Sequence, residues 1–366
     1  MRCRLLFISI VVLLMFVFKC PSVSAQLTLG GGGKKEPPSE KSSENSLEIS
    51  EEISLDDDFE DTSATVSLEK VIKEDSGPKL GASQTTQCTA GIKIVGGSKN
   101  ANKLYVSVVV PMEWPEQKVR IVKEVIPPAV NVSYRDVGVG TFKGGRIMEI
   151  NIPKLPAGKA VEVLVTFEVI RQEQLAPTET AQYVIPKAVP KDVRVHLLPS
   201  PKIESNDRKF KQIFKETTEG IETDWKKVEA VYDYVREKVR YREELKRNPV
   251  KGALAALKDG DGDCEDMCAL FVAICRAGDV PARTVFVKGH CYAEFYLEDE
   301  TKKGYWFPCQ VSGSYAFGNM PDKRYVVQKG DNFRIDKEQL RFIKSVFTGE
   351  IPSDSTQPKY EFVQIR

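Results

Sequence analysis

The sequence predicts two globular parts: an all-β, immunoglobulin-like sandwich followed by an α+β domain. Three observations predict this. Between about residues 86 and 180, short β-branched segments bounded by Gly, Pro and Asn follow one another: IKIVGG, KLYVSVVVP, QKVRIVKEVIP, RIMEINIP and AVEVLVTFEVI. Several alternate apolar and polar residues, as strands with one buried face do. From Asp207 onward apolar residues recur at helical intervals, and after Pro281 the pattern returns to strands, so helices precede a sheet. The 366-residue length accommodates two domains plus non-globular sequence.

The chain opens with Arg2 and Arg4, an apolar run from Leu5 to Phe18 too short to span a bilayer comfortably, and the small residues of Val23-Ser24-Ala25. These predict a signal peptide over 1–25, cleaved after Ala25, and an exported protein, secreted or held in the periplasm or cell envelope. No later run is long enough to cross a membrane. Residues 26–85, rich in Gly, Ser, Pro and acidic residues, read as a disordered linker that cannot bury enough surface to offset chain entropy. The sandwich (86–180) contains nothing that looks catalytic. Its Asn131-Val132-Ser133 fits a glycan acceptor, which matters only in a eukaryotic secretory host.

A Pro-rich connector, roughly 176–201, leads to the second domain (195–340). DRKFKQIFKETTEG and TDWKKVEAVYDYVREKVRY space their apolar residues as helices, the second capped by Thr223 or Asp224. A short helix near VKGALAALKDG precedes GDCEDMCALF (262–271). ARTVFVKG, HCYAEFYL and GYWFPCQV then read as strands, and 341–366 as a C-terminal tail.

The chemistry sits in this last region. Gly262 permits a tight turn, Asp263 is a good N-cap, and Met267, Leu270, Phe271 and Ile274 form a buried stripe. Cys264 therefore lies in the first turn of a helix, where unpaired N–H groups and the dipole favour an ionised sulfur and can hold an oxyanion. His290, on a following strand, is placed to act as its base and then as acid for the leaving group.

GDCEDMCALFVAICRAGDVPAR followed by HCYAEFYL resembles the core of the transglutaminase-like family, a branch of the papain-like cysteine enzymes. A G-x-C-x-D run opens the core helix, Arg276 to Arg283 matches the turn that ends it, and a histidine starts an H-x-[WY]-x-E strand. The resemblance covers about residues 195–335, including VEAVYDYVREKVRY. It implies a papain-like α+β core, the nucleophile role for Cys264 and the base role for His290. The family's third residue is an aspartate in a W-x-P-x-D pattern; here Trp306-Phe307-Pro308-Cys309-Gln310 puts Gln310 in that place. An amide oxygen orients the imidazole but lacks the charge that stabilises imidazolium. The implied chemistry is acyl transfer through a thioester on a peptide or protein amide, with a cell-envelope peptide among the substrates it allows. The rival reading is a weak or inactive module that binds a peptide in the same cleft.

Other signals have blander readings. Six cysteines remain after the signal peptide, and export would place them where disulfides form. Cys268 and Cys275 read as core filler. Cys291, next to His290 on a strand, should face away from the site, and a Cys291–Cys309 cross-strand disulfide is possible. Cys264, Cys268, His290 and Cys309 as zinc ligands lack a paired C-x-x-C knuckle. The acidic run from Asp259 to Asp263 fails as a calcium loop, with Cys264 and Leu270 where Gly and Glu are needed. Neither cofactor nor metal is therefore expected. The net charge of +1 exerts no pull toward nucleic acid. Glu294 is expected to pair with Arg276 or Arg283. His196 is expected to have a surface or packing role, and Tyr292 and Trp306 to pack in the core or the cleft wall.

Overall fold

In the computed structural model, residues 77–364 are described apart from 245–248 and 336. The expected signal peptide and the first part of the expected linker lie outside the described residues. The linker's last residues do not: strand β1 runs Lys79–Val95, so the chain enters the fold before residue 86.

β1 pairs antiparallel with β6 (Ala160–Leu175), and β6 with β3 (Gln117–Val125). In the second sheet β2 (Ala101–Val110) pairs with β5 (Phe142–Leu155), and β5 with β4 (Asn131–Val139). β4 holds the Asn131-Val132-Ser133 triplet, so that motif lies on an edge strand rather than in a loop. Period-two patterning does the folding: in β1, Cys88, Ala90, Ile92 and Ile94 point inward and meet Val106, Val108, Ile150, Val163 and Val165.

The expected C-terminal tail is part of this sandwich. β15 (Val346–Glu350) adds to β2, and β16 (Lys359–Val363) adds to β1, so the end of the chain supplies an edge strand to each sheet.

The second domain begins with a helical turn, α1 (Lys191–Arg194), running into a 3-10 turn at Val195–Leu197. Then come α2 (Arg208–Thr217), α3 (Asp224–Lys238), α4 (Ala253–Asp259) and α5 (Cys264–Ala277), with the two-residue strands β7 (Arg240–Tyr241) and β8 (Asp261–Gly262) pairing between them. Thr223 is the N-cap of α3 but makes no side-chain cap; Asp224 instead accepts from the Ile185 N–H at 2.8 Å. An antiparallel sheet follows, in the order β11 (Gly304–Cys309), β10 (His290–Glu298), β9 (Ala282–Val287), β12 (Val326–Lys329). β13 (Phe333–Ile335) and β14 (Glu338–Leu340) form a hairpin.

Helix α5 is apolar on nearly every side and is enclosed by α2, α3, α4, β9 and β10. Cys291, Ala293, Phe295 and Leu297 of β10 face it. The sheet's other face carries Val285, Val287, Tyr292 and Val326, which meet Trp114 of the sandwich. A buried polar seam crosses the same boundary. Gln117 donates to the carbonyls of Met112 (2.8 Å) and Val326 (3.0 Å) and accepts from the Val326 N–H at 2.6 Å. Lys329 bridges Glu116 (2.7 Å) and Glu294 (2.6 Å), and Glu294 also pairs with Arg283 at 2.6 Å. Each charge in the seam thus has a partner, which burial demands.

Candidate active site

Cys264 is the first residue of α5. Asp263 caps the helix by accepting from the N–H groups of Glu265 (2.9 Å) and Asp266 (3.0 Å), and Asp266 returns the contact to the Asp263 N–H, a capping box. Asp266 also takes the N–H groups of Lys251 (2.8 Å) and Gly252 (3.2 Å), which ties the loop before the helix to its first turn. The acidic run is thereby used up: Asp263 caps the helix, while Asp259 and Asp261 pair with Lys251.

His290 opens β10 after a turn at Lys288–Gly289, where Gly289 has φ +68°, a conformation that favours glycine. Its Nε2 lies 3.1 Å from Oε1 of Gln310, just past the end of β11. An amide oxygen only accepts, so Nε2 carries the proton and Nδ1 keeps its lone pair. The Cys264 thiol borders the same cleft as the ring, near enough for His290 to favour its ionised form. The three residues singled out in the sequence are thus brought together, with the imidazole between the thiol and the amide. Cys264 and His290, but not the buried Gln310, border a cleft of about 320 Å³ lined by Asp263, Cys264, Glu265, Phe286, Val287, Gly289, His290, Val327 and Phe342.

Two expectations need correction. Cys291 does not face away: its thiol reaches both Cys264 and Cys268. The Cys264 sulfur, reached by both side chains, lies across the first residues of β10. The Cys264 thiol is also raised above its ordinary value, first by the hydrogen bond it shares with Cys291, then by burial; His290 opposes both without overcoming them. The contact with Cys291 and burial thus work against the ionised sulfur that the helix terminus alone favours. Close to the ring, Asp322 is held below its ordinary value despite burial, chiefly by Arg324 and in smaller part by His290.

Residues 211–311 match the family model of the transglutaminase-like superfamily. The second domain is a transglutaminase-like core. Among solved structures, the chain is similar to a "putative cysteine protease" from Cytophaga hutchinsonii: 17% identity, TM-score 0.47, 77% of this chain and 93% of that one covered. It is also similar to a "putative protease" from Parabacteroides distasonis, at 12% identity and TM-score 0.25, over 63% of this chain and 47% of that one. No curated protein matches the chain.

The remaining residues of the transglutaminase-like core find structural roles. Asp331 pairs with Arg276 at 2.8 Å, both fully buried, and accepts from Ser200 and the Thr284 N–H, so it does not serve His290. Glu294 pairs with Arg283, not Arg276. Cys309 stands opposite Ala293 in the ladder, so it is offset from Cys291, and the six cysteines of the described residues are unpaired thiols. Among the described residues no group of His, Cys, Asp and Glu is arranged to hold a metal ion, and no helix is long and apolar enough to cross a membrane. Trp306 and Tyr292 lie away from the cleft: Arg283 stacks on the Trp306 ring (3.8 Å to its centroid), and the Tyr292 hydroxyl meets Arg171 at 3.3 Å. Phe286, Val327 and Phe342 line the cleft instead. The sequence marks Phe286 only as a strand residue; Val327 arrives on β12, which pairs with β9, and Phe342 follows β14 and packs edge-on to Phe286, and no local pattern signals either.

Proposed function

We propose that the protein is an exported thiol acyl-transfer enzyme acting on peptide or protein amide bonds. The observation that carries the reading is His290, held through Nε2 by Gln310 and in reach of Cys264, at the edge of an open cleft. His290 takes the thiol proton as the sulfur attacks the amide carbonyl. The tetrahedral intermediate collapses as His290 returns that proton to the leaving amine, and a thioester to Cys264 remains. Water, activated by the freed imidazole, then releases the acid. A primary amine in place of water would give a cross-link. The apolar walls from Phe286, Val327 and Phe342 suit a peptide side chain.

The Cys264 thiol is raised by its contact with Cys291 and by burial, so the imidazole works as a general base during attack.

The test is turnover on a peptide-amide library, with and without a primary amine as acceptor. Cys264→Ala is expected to lower turnover by about 10³-fold or more with little change in Tm. Release of free acid indicates hydrolysis; incorporation of the amine indicates cross-linking. The second reading, a peptide-binding module, is favoured by the raised Cys264 thiol and by Gln310. It predicts that wild type and Cys264→Ala hold the same peptides and neither turns them over.

A further inference from the structure

This inference rests on the acyl-transfer reading and concerns how its weakest member is held. A carboxylate attracts an imidazolium over a range of distances and angles, whereas an amide must present its oxygen along the N–H direction. Gln310 therefore depends on placement more than a charged residue would. Yet it follows directly on Cys309, the last residue of β11 paired with β10, so the ladder no longer fixes it.

Helix α3 supplies what the ladder does not. Tyr232 and Arg236 stand one turn apart on the same face. The Tyr232 hydroxyl donates to the Gln310 carbonyl at 3.0 Å and accepts from the Ala316 N–H at 3.1 Å. Arg236 Nη1 donates to the same Gln310 carbonyl at 3.0 Å and to that of Val311 at 3.3 Å, while Nη2 donates to Gly313 at 2.9 Å. The Gln310 N–H goes to the Ala316 carbonyl at 2.8 Å. The guanidinium itself lies near the Tyr232 and Tyr315 rings, at 5.3 and 5.7 Å from their centroids. One planar cation thus gathers the carbonyls of 310, 311 and 313.

We propose that Arg236 is a positioning residue for the reaction, assisted by Tyr232: it fixes the turn after β11 so that Gln310 Oε1 meets His290 Nε2. Neither residue borders the cleft, so neither touches a substrate there, and Gln310 is the member of the site that both hold.

The experiment measures the rate of Cys264 carboxamidomethylation by iodoacetamide in the full chain, by peptide mass spectrometry across pH, in a double-mutant cycle. Arg236→Lys keeps the charge but loses the fork. It is expected to slow labelling about tenfold at neutral pH in the wild-type background and to have no effect once Gln310 is alanine. Tyr232→Phe keeps the ring and removes one donor; it is expected to cause a fall of about threefold, also absent with Gln310→Ala. Equal losses in both backgrounds would show that Arg236 only packs the turn, and no loss in either would show that Gln310 is held without it; each overturns the proposal. Labelling of Cys264 that ignores His290→Ala would sink the acyl-transfer reading itself, a separate outcome from failure of the Arg236 cycle.

Discussion

A neutral amide behind the imidazole changes what His290 can do. A carboxylate there would favour imidazolium and draw the thiol proton across before substrate binds. Gln310→Glu, nearly isosteric, is therefore expected to raise Cys264 alkylation near pH 6 by about tenfold, the equivalent of one pKa unit; an unchanged rate would mean position 310 does not sense the charge of His290. At this scale much was legible. Cys264, His290 and Gln310 could be read from the run around the helix start, the histidine opening a strand, and the tryptophan-led segment after it, and the three do converge. Cys291 was not legible. Strand alternation places neighbouring side chains on opposite faces, but both His290 and Cys291 reach the Cys264 sulfur at the start of β10. The raised thiol follows from that second sulfur, and no spacing in the sequence announces it.

Among the elements, several buried ones were readable, although the fully buried β12 was not. α5, with its Asp263 cap and apolar faces, and β9, β10 and β11 fall where their patterns put them. Some edge strands were missed, although β3 and β11, also at sheet edges, were read. β15 and β16 are short, largely exposed, and find partners more than 230 residues away in sequence, Val346 beside Ser107 and Lys359 beside Val95. β4 was missed for a related reason: it is an edge strand with only Val137 fully buried. The cost of losing the C-terminal pair should be large, because Phe347 and Phe362 pack on the sandwich core and both sheets would gain open edges. Truncation after Lys344 is expected to lower Tm by at least about 10 °C and to promote aggregation, read by calorimetry and light scattering. A truncated chain as stable as the full one would mean the two strands are ornamental.

Across the whole molecule, the sandwich and the transglutaminase-like core share a buried boundary. His196 sits in it, with its ring edge-on to Phe142 of the sandwich (4.4 Å) and to Trp306 of the core (5.1 Å). Burial, then the charges of Arg283 and Arg276, hold its pKa well below the ordinary 6.5, opposed only by Asp331. The folded ring therefore stays neutral while the unfolded ring takes a proton. Stability from this residue is fully present above pH 6.5 and is lost as pH falls below it, by about 2 kcal/mol near pH 5. His196→Phe is expected to flatten that part of a stability profile measured by denaturant unfolding. Glu294 and Asp331, held low by Lys329 and Arg283 and by Arg276 respectively, in spite of burial, keep their contributions until the pH drops below the ordinary carboxylate range near 4. A profile with no loss between pH 7 and 5 in the wild type would contradict the buried neutral His196.

The most direct measurement is competitive thiol labelling of the folded full-length chain at neutral pH with limiting iodoacetamide, mapped by peptide mass spectrometry in wild type and His290→Ala. The expected result is an adduct chiefly on Cys264, slowed about tenfold or more when His290 is removed. Labelling spread over the other cysteines, or a Cys264 rate indifferent to His290, would contradict a working pair.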